Sequence, residues 1–217
     1  MRVSEIFCYK RYMYKIKSSQ GFTLLELIVV VAIAAILVGI AVPSFDGLIK
    51  NNSVKALEHE LNTSITFARS EALTRQKPIS IACVTSNSGG CDGDWSEGWV
   101  VFVDDKSGDY ADGVLNTDEE ILLSKANNGR ATVFIKDPDT SSTRNDITFN
   151  YKGYSVDDSR ASVVVCASSK EAYYARGLVL ERSGRLMRSK DTNGDGVHDE
   201  VLLDSSDNVQ SAALSCL

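Results

Sequence analysis

Apolar positions along the chain follow three regimes. Across residues 22–42 they are almost continuous, broken only by Thr23, Glu26 and Gly39. A helix of about 20 apolar residues covers the hydrocarbon of a bilayer, so this run predicts a membrane span. Further on, Val54, Leu57, Leu61, Ile65, Ala68 and Ala72 recur every three or four residues. Lys50, Lys55, Glu58, Glu60, Arg69 and Glu71 take the other faces. That is the stripe of an amphipathic helix. The helix is expected to continue through Pro43 and to end near Arg75, ahead of Pro78. It would be one helix of about 50 residues, ~75 Å long at 1.5 Å per residue.

After Pro78 the pattern becomes short and β-rich. Residues 79–84, 98–103, 120–123, 131–135, 147–151, 162–166, 177–181 and 201–203 are predicted strands, divided by Gly, Asn, Asp and Ser. They predict an antiparallel β domain laid against the helix, an α+β fold. The sequence holds no internal repeat and no low-complexity tail.

Charge changes the picture at the N-terminus. Arg2, Lys10, Arg11, Lys15 and Lys17 against Glu5 give the first 21 residues a net +4, which favours a cytoplasmic location for that end. A secretory signal peptide would have a shorter apolar core and an Ala-x-Ala-like site after it. Here Pro43, Ser44 and Phe45 follow instead. A plain membrane anchor would leave Glu26 unexplained, because an ionisable group in hydrocarbon is costly and by default functional.

The residues Gly21-Phe22-Thr23-Leu24-Leu25-Glu26 resemble the prepilin cleavage signature of type IV pilins and type II secretion pseudopilins, and Pro43 falls where many pilins carry a kinking proline. The resemblance implies that a prepilin peptidase cuts between Gly21 and Phe22 and that the new Phe22 amine is methylated. It also implies an assembly role for Glu26. In a packed filament that carboxylate would meet the Phe22 amine of a neighbouring subunit, and breaking such a buried pair costs about 3–5 kcal/mol. The expected organisation is a leader at 1–21, a transmembrane half-helix at 22–43, an amphipathic half at 44–76 and a β-rich globular domain at 77–217. The leader is long for this family. A start at Met13 would bring it to the usual length and remove Cys8.

Three further segments narrow the resemblance to the GspH/FimT branch. They are Phe67-Ala68-Arg69-Ser70-Glu71-Ala72, Trp95-Ser96-Glu97-Gly98-Trp99-Val100-Val101-Phe102-Val103-Asp104 and the hairpin from Gly177 to Arg185. The branch implies a minor pilin or pseudopilin of a type II secretion pseudopilus or a type IV pilus that helps to initiate or cap the filament. It would sit in the inner membrane by a single pass with its domain in the periplasm. Its partners would be other pilins through the N-terminal helix, the prepilin peptidase and inner-membrane lipid. Core packing accounts for at least one of Trp95 and Trp99.

The chain has 217 residues, is 43% hydrophobic and carries a net charge of −6, or −10 without the leader. The acidic balance argues against non-specific nucleic-acid binding as the main role. Cys83, Cys91, Cys166 and Cys216 lie beyond the span, where an oxidising periplasm permits disulfides. Four cysteines allow three pairings. Cys83–Cys91 and Cys166–Cys216 are favoured, because the first closes a short loop and the second pins the terminus. There is no Cys-x-x-Cys, and His59 and His198 are remote from the cysteines, which counts against zinc.

Three other segments carry dense polar groups. Asp191, Asn193, Asp195, Val197 and Asp199 have the ligand spacing of a calcium loop, with Leu202 where an EF-hand acid would stand. Asp204 or Asp207 would have to substitute, and Ca2+ is the one cofactor candidate. Tight hairpins use the same residues. The acidic stretch of Asp104, Asp105, Asp109, Asp112, Asp118 and Glu119 is expected to form a solvated loop. Arg176, Arg182, Arg185, Arg188 and Lys190 are the dense basic cluster outside the leader. DNA-capturing members of the FimT branch carry Gly-Arg-x-Arg near this position, which makes Arg182, Arg185 and Arg188 candidate DNA contacts and DNA uptake the alternative function. The spacing Gly184-Arg185-Leu186-Met187-Arg188 is one residue longer, and edge protection of a hairpin explains the charges as well. No Gly-x-Ser-x-Gly, phosphate loop or His-Glu-x-x-His occurs, and both histidines read as surface residues, so the chain is not expected to be an enzyme.

Overall fold

The computed structural model describes residues 21–84, 91, 93–105, 111–127, 129, 131–156, 160–203, 209–214 and 216, with the backbone alone at 40–44, 200–203 and 209–213. The expectations for residues 1–20, Asp109, Asp204 and Asp207 lie outside the described residues. The chain forms two compact units, Met1–Ser44 and Phe45–Leu217.

Helix α1, Leu24–Arg75, contributes to both units. Its start is set by Thr23, whose Oγ1 accepts the Glu26 amide at 3.2 Å and whose carbonyl accepts the Leu27 amide at 3.2 Å. Thr23 is thus the N-cap, and Glu26 stands three residues on, where a capping-box acid belongs and where the helix dipole favours negative charge. The described side chains of the first unit are exposed through Gly39. Among the described residues no helix is long and apolar enough to cross a membrane. The fully described part of the apolar run ends at Gly39. From Leu24 it spans about 24 Å at 1.5 Å per residue, short of the ~30 Å hydrocarbon core.

In the second unit, Val54, Leu57, Leu61, Ile65, Ala68 and Ala72 are buried, as the stripe predicts. The polar residues among them stay helical by bonding back one turn. Ser53 Oγ donates to the Ile49 carbonyl, Thr63 to His59 and Ser64 to Glu60. The helix ends where Gln76 turns left-handed, with φ of 54°, two residues before Pro78.

Ten strands follow. Ile79–Cys83 (β1), Gly98–Val103 (β2), Ile121–Ala126 (β3) and Asp146–Phe149 (β5) form one antiparallel sheet in the order β3-β2-β1-β5. Ala131–Lys136 (β4), Ala161–Ala167 (β6), Arg176–Leu180 (β7) and Leu186–Arg188 (β8) form a second in the order β4-β6-β7-β8. Asp199–Leu203 (β9) and Val209–Ala213 (β10) pair as a hairpin. The described strands therefore divide into two four-stranded sheets and a hairpin. Strands β8 and β10 were not expected, because the first is only three residues long and the second has one β-branched residue.

Alternate residues of both sheets meet the helix stripe in one core. Ile79, Ile81, Trp99, Val101, Val103, Ile147 and Phe149 come from the first sheet, and Val133, Ile135, Val163, Val165, Leu178 and Leu180 from the second. Each such side chain contributes about 1.5–3 kcal/mol by leaving water. The opposite faces are covered too. Val100 and Phe102 pack with Ala82, while Val164 and Cys166 pack with Ala175, Leu214 and Cys216. Both tryptophans are core residues, and Trp95 Nε1 donates to the Arg144 carbonyl at 2.9 Å.

Two disulfides close the domain. Cys83 is bonded to Cys91, with Cα atoms 6.3 Å apart. Cys166 is bonded to Cys216, with Cα atoms 5.9 Å apart, which ties the terminal segment to β6.

Candidate functional site: the processing motif and its supporting domain

Gly21, Phe22 and Thr23 are non-helical and exposed, with Phe22 84% accessible. The helix begins one residue after them, so the Gly21–Phe22 peptide lies in non-helical backbone beside a capped helix start. Glu26 is exposed in the first turn, its amide held by Thr23. Thr23 and Glu26 therefore serve the helix start whatever else Glu26 does.

Arg69 has a role that the sequence did not show. Its Nε donates to the Gly153 carbonyl at 2.9 Å and its Nη2 to the Ser183 carbonyl at 3.0 Å, buckling the helix to two turns. Gly184 makes that junction tight. Its φ is +74°, and a Cβ there would lie 2.1 Å from the Gly153 oxygen. Glu71 and Glu120 both pair with Arg75, at 2.6 and 3.0 Å. On the opposite flank Lys50 lies between Asp46 at 2.9 Å and Glu171 at 3.0 Å, and the hydrogen bonds from these two carboxylates push its pKa upward. Glu171 immediately precedes the 3-10 turn Ala172–Tyr174, so this pair joins that turn to the helix.

The calcium-spaced loop spends its oxygens on its own backbone. Asp191 accepts the Gly194 and Gly196 amides at 2.7 and 3.0 Å, Asn193 accepts the Asp195 amide at 2.9 Å, and Asp195 accepts the Val197 amide at 2.7 Å. Asp199 lies in β9, buried, and accepts the Thr192 amide and hydroxyl, which lower its pKa. Among the described residues no three His, Cys, Asp or Glu side chains form a group that can hold a metal ion.

The acidic stretch is not wholly solvated. Asp104 is fully buried and accepts the Ser80 hydroxyl at 2.6 Å and the Asp112 and Gly113 amides at 3.2 and 2.8 Å. It is a clasp for the loop rather than part of its surface, because it follows directly on the buried strand β2. Glu58 likewise is buried.

The basic cluster divides. Arg182 Nη2 lies 3.6 Å from Asp139, which also pairs with Arg160. Arg188, on the edge strand β8, pairs through Nε with Glu58 at 3.0 Å. Arg185 is exposed beside the turn. A DNA-contacting role for Arg182, Arg185 and Arg188 as one surface gains no support from this arrangement. His59 is exposed, as expected, whereas His198 is half-buried. Its Nδ1 is 3.1 Å from both the hydroxyl and the carbonyl of Ser189, and burial and then Arg176 push its pKa down.

A capped N-terminal helix that begins with the Gly21–Glu26 segment, followed by a helix segment packed on antiparallel sheets, is the arrangement of a pilin-like subunit. The chain belongs to the family described as "Type II transport protein GspH", whose pattern matches residues 59–184. The prokaryotic N-terminal methylation motif matches residues 16–42 and implies a membrane-anchored component of a pilus or pseudopilus. Two solved structures of the type IV minor pilin FimU from Pseudomonas aeruginosa are similar. One is 23% identical, with a TM-score of 0.49, covering 64% of this chain and 90% of that one. The other is 22% identical, with a TM-score of 0.47, covering 63% and 92%. The curated proteins give no match. The family is one of structural pilin subunits rather than enzymes, and interaction with other pilins comes with it.

Proposed function

We propose that this chain is a minor pilin or pseudopilin, cut by a prepilin peptidase between Gly21 and Phe22 and methylated at Phe22, that helps to initiate or cap a type II secretion pseudopilus or type IV pilus. The observation that carries the reading is the order of two matches in one chain, the methylation motif at 16–42 and the family pattern at 59–184. Before assembly the protein sits in the inner membrane by one pass, leader inside and β domain in the periplasm. The non-helical backbone at Gly21–Phe22 supports cleavage there, since a protease needs an extended substrate. Once Phe22 is freed, its cationic amine is the counter-charge that Glu26 needs in lipid, supplied by the neighbouring subunit.

Terminal sequencing of protein recovered from cells with and without active prepilin peptidase tests the cut. A mature terminus at Phe22 that depends on the peptidase is expected, and a retained leader in the active strain refutes the proposal. Deletion of the gene, scored for secreted proteins and for surface pili, separates the two systems.

A further inference from the structure

A recess of about 330 Å³ lies between α1 and the β7–β8 hairpin, lined by Lys55, Glu58, His59, Arg176, Gly177, Arg188, Ser189 and His198. The processing scheme uses none of these residues. Three of them are permanent cations, and only Glu58 is acidic. Arg188 shares its charge with Glu58 at 3.0 Å and places Nη2 3.4 Å from His59 Nδ1.

Among the described residues Arg176 has no such carboxylate bond. It is half-buried, and its guanidinium donates to two neutral acceptors, the Ala175 carbonyl at 2.7 Å and Asn51 Oδ1 at 3.2 Å. A half-buried cation held by neutral groups is under-compensated, and the fall in its pKa, caused by desolvation and only partly offset by Glu58, reports the same imbalance. Arg176 and Lys55 both act on His198 from the recess, and Asp191, which is not among the lining residues, opposes them. The floor is backbone at Gly177, where an added Cβ would press on Leu214 and Ser189 at 3.2–3.3 Å.

We propose that this recess binds one oxyanion group, a phosphate or a carboxylate, between Lys55, Arg176 and Arg188. A concave site with an excess of like charge concentrates counter-ions. Guanidinium forks suit planar carboxylate and phosphate oxygens. Glu58, the one acid among the lining residues, orients Arg188, and the lining as a whole carries more positive than negative charge.

The test is a titration of the full-length protein in detergent with inorganic phosphate and, separately, with succinate, followed by thermal unfolding and by amide NMR shifts at Gly177 and Ser189. Potassium chloride of equal ionic strength is the control. A saturable stabilisation is expected with at least one probe and not with chloride. Phosphate alone assigns the recess to phosphoryl groups; both probes assign it to oxyanions generally, including acidic side chains of another protein. Lys55→Gln lies at an exposed position and Arg188→Lys keeps a cation beside buried Glu58 while removing the guanidinium fork, so both should fold, and each should weaken binding about tenfold, the value of one charge-assisted contact. No saturable effect, an equal effect from chloride, or full affinity in both variants overturns the proposal.

Discussion

Gly184→Ala is the most informative single change in the domain. The left-handed backbone costs a non-glycine residue about 1–2 kcal/mol. The new methyl carbon would stand 2.1 Å from the Gly153 oxygen and 2.9 Å from Arg69 Nε, so the turn must move. Movement breaks the bond from Arg69 to Gly153, and a hydrogen bond from a charged donor is worth about 1.5–3 kcal/mol. Together the loss is about 2.5–5 kcal/mol, or roughly 5–20 °C in Tm at 2–4 °C per kcal/mol. Circular dichroism melts of the full-length protein in detergent measure it. Arg69→Met alone should lower Tm through the same contacts. The double variant should then fall short of the sum by about 1 kcal/mol or more, because the two changes remove one shared bond. A drop below about 2 °C for Gly184→Ala, or strict additivity with Arg69→Met, refutes the idea that this junction locks the helix to the domain.

Glu26→Val should leave membrane insertion intact and reduce incorporation into filaments, scored by fractionation; normal assembly of the variant sinks the pairing scheme. Replacing Cys166 and Cys216 by serine opens a connection of 50 residues, worth about 4 kcal/mol by loop entropy, and should lower Tm by about 8–16 °C; an unchanged melt under reducing conditions contradicts this. Asp139 is held below the usual carboxylate range, first by its hydrogen bond to Arg160. The stability it contributes is present above about pH 4 and lost as pH falls further. Asp139→Asn should therefore lower stability across the neutral region, flatten the acid limb of a stability–pH curve and leave the two proteins alike in strong acid; an unchanged neutral plateau refutes the assignment. If the loop from Asp191 to Asp199 takes calcium, chelator should lower Tm and added calcium should restore it; an unchanged midpoint removes the site.

Features that depend on neighbours in sequence were readable before the structure. The helix end at Arg75 follows from Pro78, and strand β2 falls at Gly98–Val103 as expected from its aromatic and branched residues. The Gly21 to Glu26 motif is local by nature. Partner choice is not. That β1 pairs with β5, while β4 joins β6 in another sheet, depends on distant strands that look alike one at a time. Arg69 meets partners 84 and 114 positions away, which no local pattern announces. Glu58 did carry a signal. It lies four residues after Val54 and three before Leu61, on the border of the apolar stripe, and its burial against Arg188 follows from that position.

Thr23 fixes the helix start on the far side of the proposed scissile bond, so the helix would keep its first turn when the leader departs. Maturation would then alter charge and leave conformation alone. The basic tail would be exchanged for a single ammonium at an end that the peptide dipoles already make positive. Such an end would attract an acid from elsewhere, and under the proposed cut the next subunit would dock on a terminus that needs no refolding to receive it.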